Sequence, residues 1–138
     1  MNEIVVDCSV AASWILPDEY SGAAENLLGR LLQRKPRLVV PELWIYEVLN
    51  VLRSAVRRKR LTAAGARRAV TFLNRIPLER VPLKQGLDTL VFERALEHNL
   101  SACDAAYVVL AETRGATLCT ADKALLDLRS RCDFIQPL

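Results

Sequence analysis

The sequence of 138 residues predicts an α/β fold, a central parallel sheet with helices on both faces. Three observations carry that prediction. Short β-branched runs recur in which consecutive residues are apolar, the pattern of strands buried on both faces. Longer stretches between them repeat their apolar positions every three or four residues, the period of a helix. Cap and turn residues separate the two kinds of segment. The length suits a single domain, residues 1–138, and no internal repeat or linker divides it.

Ile4-Val5-Val6 is the first strand, ended by Asp7. Val10 to Leu16 forms a short helix that Pro17 stops, because proline lacks the amide the next turn needs. Ala23, Ala24, Leu27, Leu28, Leu31 and Leu32 place a second helix over Ser21 to Leu32. Leu38-Val39-Val40 is the next strand, and Pro41 stands where a helix can start without losing a needed donor. From there to Lys59, Trp44, Val48, Val51, Leu52 and Ala55 make one apolar stripe, with Arg53, Arg57 and Arg60 opposite.

Thr62 caps a further helix through Asn74. Leu78 to Val81, bracketed by Pro77 and Pro82, is a weaker strand, and Gly86 to His98 a helix with Asn99 as its stop. Ser101 precedes an almost wholly apolar run from Ala102 to Ala111, closed by Gly115, which predicts a buried helix. Thr117-Leu118-Cys119 is a clear strand, followed by Thr120-Ala121-Asp122, a short helix near Leu125 and an edge strand at Phe134-Ile135.

Composition narrows the function classes. An apolar fraction of 51% with 25% charged residues excludes a disordered chain. No run approaches the ~18 apolar residues of a membrane span, and no basic-then-apolar leader opens the chain, so a cytoplasmic protein is expected. The cysteines at 8, 103, 119 and 132 form no Cys-x-x-Cys pair, and His98 is the single histidine. A Cys/His zinc site is therefore poorly supplied, and reduced thiols packed as small hydrophobes are expected.

The net charge of +3 hides an asymmetry. Residues 1–29 carry five acids and no Lys or Arg, whereas residues 30–80 carry thirteen Lys or Arg against three Glu. A cationic surface beside clustered carboxylates suits a site that processes a polyanion. A solvated arginine face is the simpler reading of the same residues.

Four acids are candidates for one site. Asp7 and Asp122 each follow a strand, and sites in open parallel sheets lie outside the carboxyl ends of strands. Each is also an ordinary turn or cap residue. Glu47 lies about 60° from the centre of its helix's apolar stripe, beyond the first turn, where helix polarity does not explain it as it explains Glu42. Asp104 is the only charge between Ser101 and Ala111, and Ser101-x-x-Asp104 also reads as a capping box. Converging carboxylates repel one another unless a cation joins them, and an all-oxygen set suits magnesium or manganese. Two such ions ~3.5–4 Å apart can hydrolyse a phosphodiester without any histidine. Ser9 and Thr120 stand two residues from Asp7 and Asp122, positioned to orient them.

These residues resemble the PIN-domain ribonucleases, and within them the VapC-type toxins of toxin–antitoxin pairs. Val6-Asp7-Cys8-Ser9-Val10 is similar to the opening motif. The stretch from Pro41 to Asn50 resembles the second, with Glu47 its acid and Asn50 one turn on. Leu100 to Tyr107 resembles the third, with Asp104, and Thr120-Ala121-Asp122 the fourth. The resemblance spans the whole chain. It implies a sheet ordered 3-2-1-4-5, an Mg2+- or Mn2+-dependent endoribonuclease with Asp7, Glu47, Asp104 and Asp122 holding the metal, a homodimer, and a small antitoxin partner. Leu125 stands where many members have Phe, and Cys8 and Cys103 flank the acids without belonging to the pattern.

On this reading the arginine-rich segment, Arg53, Arg57, Arg58 and Arg60 above all, holds the RNA backbone. Other readings compete with it. A helix–turn–helix regulator over Arg53–Arg68 leaves the four acids without a role. A phosphatase with Asp7 as nucleophile usually needs a second acid where Ser9 stands. A PIN protein that binds RNA without cutting sits poorly with four intact acids.

Overall fold

The computed structural model describes residues 2–138. Its five strands are β1 (Glu3–Val6), β2 (Arg37–Pro41), β3 (Leu78–Val81), β4 (Thr117–Thr120) and β5 (Ile135–Pro137). They form one sheet in the order β3-β2-β1-β4-β5, every neighbouring pair parallel. That is the expected order. The central strands have the buried, double-sided character of the sequence runs: Val5, Val6, Val39, Val40 and Leu118 are completely buried.

The helices are α1 (Cys8–Ile15), α2 (Gly22–Leu32), α3 (Leu43–Arg57), α4 (Ala63–Leu73), α5 (Leu87–His98), α6 (Ala102–Arg114) and α7 (Lys123–Leu126), with a 3-10 turn at Pro17–Glu19. Helix α1 packs against both α2 and α3, α4 joins α3, and α5 pairs with α6, which lies along β1, β2 and β4. Trp44 and Tyr107 are the largest side chains of the core, both buried. Burying a side chain of that class stabilises the fold by roughly 1.5–3 kcal/mol relative to exposure.

Three boundaries differ from expectation, each for a local reason. Helix α1 starts at Cys8 rather than Val10, because the Asp7 carboxylate accepts the Ser9 amide as an N-cap and turns the chain directly out of β1. Pro41 ends β2 rather than opening α3. It pairs with Val81 of β3, beyond the last residue that β1 pairs, so its missing N–H is not needed, and the next amide, Glu42, donates to the Val81 carbonyl. Strand β5 begins at Ile135, while the Phe134 carbonyl accepts from the Leu118 amide.

Candidate active site

The carboxyl edge of the sheet collects side chains from four parts of the chain. Asp7 follows β1 and caps α1, and Asp122 follows β4 and caps α7 through the Leu125 amide at 3.3 Å. Asp104 lies in the first turn of α6, its amide held by the Ser101 hydroxyl at 3.1 Å. Glu47 lies in the second turn of α3, half-buried rather than on the solvent face. Capping and site placement therefore coincide at Asp7 and Asp122.

Hydroxyls fix the orientation of Asp7. Its Oδ1 accepts from the Ser9 hydroxyl at 2.5 Å and from the Ser9 amide at 3.2 Å, while Oδ2 accepts from the Thr120 hydroxyl at 2.6 Å. Each hydroxyl is aimed in turn by a backbone donor. The Ala121 amide donates to Ser9 Oγ and the Asp122 amide to Thr120 Oγ1, both at 2.9 Å. The turn after β4 thus orients a carboxylate after β1, more than a hundred residues away in sequence.

Glu47 has a partner that the sequence does not reveal. The Tyr107 hydroxyl, from the buried face of α6, donates to Glu47 Oε1 at 2.5 Å. Tyr107 lies three residues after Asp104, so one turn of α6 delivers both a carboxylate and the donor that holds a second one. The available signal was a lone hydroxyl in an apolar helix, which reads equally as core.

The electrostatics are those of acids confined together. Burial raises the Asp7 carboxyl above the ordinary range, the hydroxyls of Ser9 and Thr120 oppose that rise, and the Asp122 charge adds to it. Glu47 is raised by burial, against the Tyr107 hydrogen bond, and further by Asp104 and Asp7. Asp104 is raised by burial and then by Asp122 and Asp7. The Cys8 thiol lies in the same field and is pushed up to about 12 by burial and by Glu47, Asp7 and Asp104. That field disfavours the thiolate, so Cys8 is a poor nucleophile beside these acids.

This donor set fits a hard divalent cation, since it is all oxygen and its mutual repulsion is what a cation relieves. His98 is not part of it; its Nε2 faces the Cys132 sulfur at 3.9 Å. Among the described residues no three acidic, Cys or His side chains form a finished metal cage.

Of the residues singled out from the sequence, Asp7, Glu47, Asp104, Asp122, Ser9 and Thr120 are thus gathered around one edge. Asn50 stands exposed on α3, as do Arg53, Arg57 and Arg58 at its far end. Arg60 is already engaged: its Nε and Nη2 donate to Asp18 at 2.9 and 3.0 Å, and Nη2 also reaches Glu19 at 2.7 Å.

Comparison with known proteins agrees with this fold. The PIN domain family model matches residues 4–130. A VapC ribonuclease of Mycobacterium bovis is 40% identical over 124 residues, 90% of this chain and 89% of that one. A crystal structure from Pyrobaculum aerophilum superposes with a TM-score of 0.71 at 24% identity, covering 99% of this chain and 90% of the other. A toxin–antitoxin complex from Klebsiella pneumoniae gives 0.66 at 13% identity, over 96% and 95%. The chain belongs to the PIN-domain family, in its VapC-type branch. All four cysteines are free, and no helix among the described residues is long and apolar enough to cross a membrane.

Proposed function

We propose that this protein is an RNA-cleaving toxin of the cytoplasm, an endoribonuclease that uses Mg2+ or Mn2+ held by Asp7, Glu47, Asp104 and Asp122 and is neutralised by a small antitoxin protein. The observation that carries this reading is the gathering of four acidic side chains, from four separate elements, at one sheet edge. Three of them are held toward the neutral form by burial and by their neighbours' charges. The 40% identity to a ribonuclease over nine-tenths of the chain supports the same chemistry.

A divalent cation held by these carboxylates would supply Lewis-acid charge and make a coordinated water more acidic. The chain's own residues supply orientation. Ser9 and Thr120 hold one oxygen each of Asp7, and Tyr107 holds Oε1 of Glu47. Asp104 and Asp122 gain from the positive ends of α6 and α7. Arg53, Arg57 and Arg58 hold backbone phosphates, while Arg60, bound to Asp18 and Glu19, contributes less. Asn50 faces the approaching strand from α3.

Two surfaces support the protein partners. An apolar groove of about 820 Å³, lined by Tyr46, Leu83, Leu87 and Val91, suits an antitoxin segment. Phe92 and Leu96, 60% and 65% exposed and one turn apart on α5, suit a homodimer contact.

The test is cleavage of total cellular RNA by purified, antitoxin-free protein with Mg2+ and with EDTA. Discrete fragments that vanish in EDTA are expected. No fragments from folded protein in either Mg2+ or Mn2+ would replace this reading by an RNA-binding PIN protein without cleavage.

Tyr107→Phe gives a second expected result. It removes one oxygen and leaves the ring that fills the core, so the fold should persist. Loss of a donor that orients a metal-holding carboxylate costs roughly 10–100-fold in metal affinity or activity. The checks are the cleavage rate and the Mg2+ concentration at half-maximal rate; a variant unchanged in both leaves Tyr107 a packing residue.

A further inference from the structure

The sheet has a second edge, opposite the carboxylates. There a cleft of about 1210 Å³ opens among the beginnings of β1, β2 and β4. Its lining includes Arg30, Arg34, Lys35, Arg37 and Arg114 against a single carboxylate, Glu3. Arg37 and Arg114 both reach Glu3 and both reach Glu79, so these two cations are largely balanced. No carboxylate among the described residues lies within salt-bridge reach of Arg30, Arg34 or Lys35.

These three stand where α2 ends and the chain turns into β2. Arg30 stands in the last turn of the helix, and Arg34 adopts a left-handed backbone, φ 58°, that redirects the chain. The turn is tied by the Arg34 amide to the Leu31 carbonyl at 2.9 Å and by the Lys35 amide to the Arg30 carbonyl at 3.1 Å. The uncompensated cations therefore sit on a braced turn.

The lining also indicates what the cleft takes. It holds no aromatic residue, and its apolar members are Ile4 and Pro36. A protein partner needs aromatic or apolar anchors in buried pockets, and a free nucleotide needs a ring for its base to stack on. Charge without a stacking platform matches phosphates of a nucleic-acid backbone. We propose that this cleft is a second RNA-binding site, an exosite in which Arg30, Arg34 and Lys35 hold backbone phosphates of a substrate whose scissile bond lies at the opposite edge. The inference rests on the RNA-cleaving reading above and adds where a long substrate is gripped. Helix α6 joins the two edges, with Asp104 in its first turn and Arg114 in its last, about 15 Å apart along the axis. A substrate must be long enough to cover that span before the cleft contributes.

The experiment compares the wild type with an Arg30→Ala, Arg34→Ala, Lys35→Ala triple variant and with an Arg30→Lys, Arg34→Lys double variant that retains charge. Equilibrium binding of a long single-stranded RNA, read in EDTA so that nothing is cut, is measured across salt concentrations. Each lost phosphate contact lowers the slope of log K on log salt by about 0.7 for single strands, so the triple variant should lose about 2 from the slope and the double variant nothing. Cleavage of long RNA should show KM raised about tenfold with kcat unchanged, and an oligonucleotide confined to the carboxylate edge should be cut at the wild-type rate. A triple variant with wild-type salt slope and KM overturns the exosite. So does a slope carried wholly by Arg53, Arg57 and Arg58, read from their alanine variants. A wild type that neither binds nor cuts RNA fails at the earlier reading instead, which separates the two.

Discussion

Asp7→Asn is expected to reduce RNA cleavage by at least about 10³-fold while leaving the fold intact. Asp7 is the acid whose two oxygens are both fixed, by the hydroxyls of Ser9 and Thr120, and it follows the central strand of the sheet. Asparagine preserves shape and caps a helix as well as aspartate does, so the Ser9 amide keeps its acceptor. What disappears is the charge, together with the acceptor that the Thr120 hydroxyl uses at Oδ2, since an amide nitrogen there can only donate. Loss of several kcal/mol of transition-state stabilisation from an ill-held cation corresponds to about three powers of ten in rate, at about 1.4 kcal/mol for each. Single-turnover cleavage gives the rate, and circular dichroism melting confirms the fold. A variant that cuts at the wild-type rate removes Asp7 from the chemistry and with it the proposed metal site. Substituting Arg53 or Arg57 instead should weaken binding without touching the rate on bound RNA; a helix–turn–helix regulator would also lose binding there but would be indifferent to Asp7→Asn.

Much of this arrangement is legible in the sequence, and the reasons differ from residue to residue. The strands announced themselves because a parallel sheet covered on both faces needs consecutive apolar residues, and Val5-Val6 and Val39-Val40 have them. The strand order did not come from periodicity; it came with the family resemblance, since local patterns carry no information about which strand lies beside which. Asp7, Asp104 and Asp122 were visible because helix starts and strand ends have sequence signals. Glu47 was visible because it fell near an apolar stripe where a solvated acid does not belong. Tyr107 was hidden: its meaning lies in a bond to a residue sixty positions away, and in its own helix it is one more core ring. Arg60 belongs by sequence to the cations of its helix face, yet Asp18 and Glu19 claim it from across the fold. Pro41 misled for a similar reason, because whether its absent amide matters depends on how far β1 extends beside it.

Divalent cation is expected to raise the thermal stability of the wild type markedly and that of Asp104→Asn hardly at all. A ligand bound only by the folded state stabilises it by about 2.7 kcal/mol at a hundredfold excess over Kd. For a chain of this length that corresponds to a rise in Tm of roughly 8–10 °C. The pH dependence provides an internal check. Asp7, Glu47 and Asp104 have folded-state pKa values raised above their ordinary ones, so in the metal-free protein they bind protons more tightly than the unfolded chain does. Below the ordinary carboxylate range both states are protonated and the acids carry no penalty. As pH rises through that range the unfolded chain ionises first, so the contribution of these acids falls until the folded carboxyls ionise as well. Asp18 and Glu112 are shifted down by Arg60 and Arg94 and act in the opposite sense, but at the exposed surface, where screening limits their effect. The wild type should therefore lose stability relative to Asp104→Asn as pH rises from the ordinary carboxylate range toward neutrality without metal. Saturating Mg2+ should reverse that trend, because the repulsion that opposes ionisation becomes the attraction that holds the ion. Melting curves across pH, with Mg2+ and with EDTA, read both effects together. A wild type and variant that shift equally with Mg2+ would show that the ion binds elsewhere, and that the four carboxylates are gathered for some purpose other than holding it.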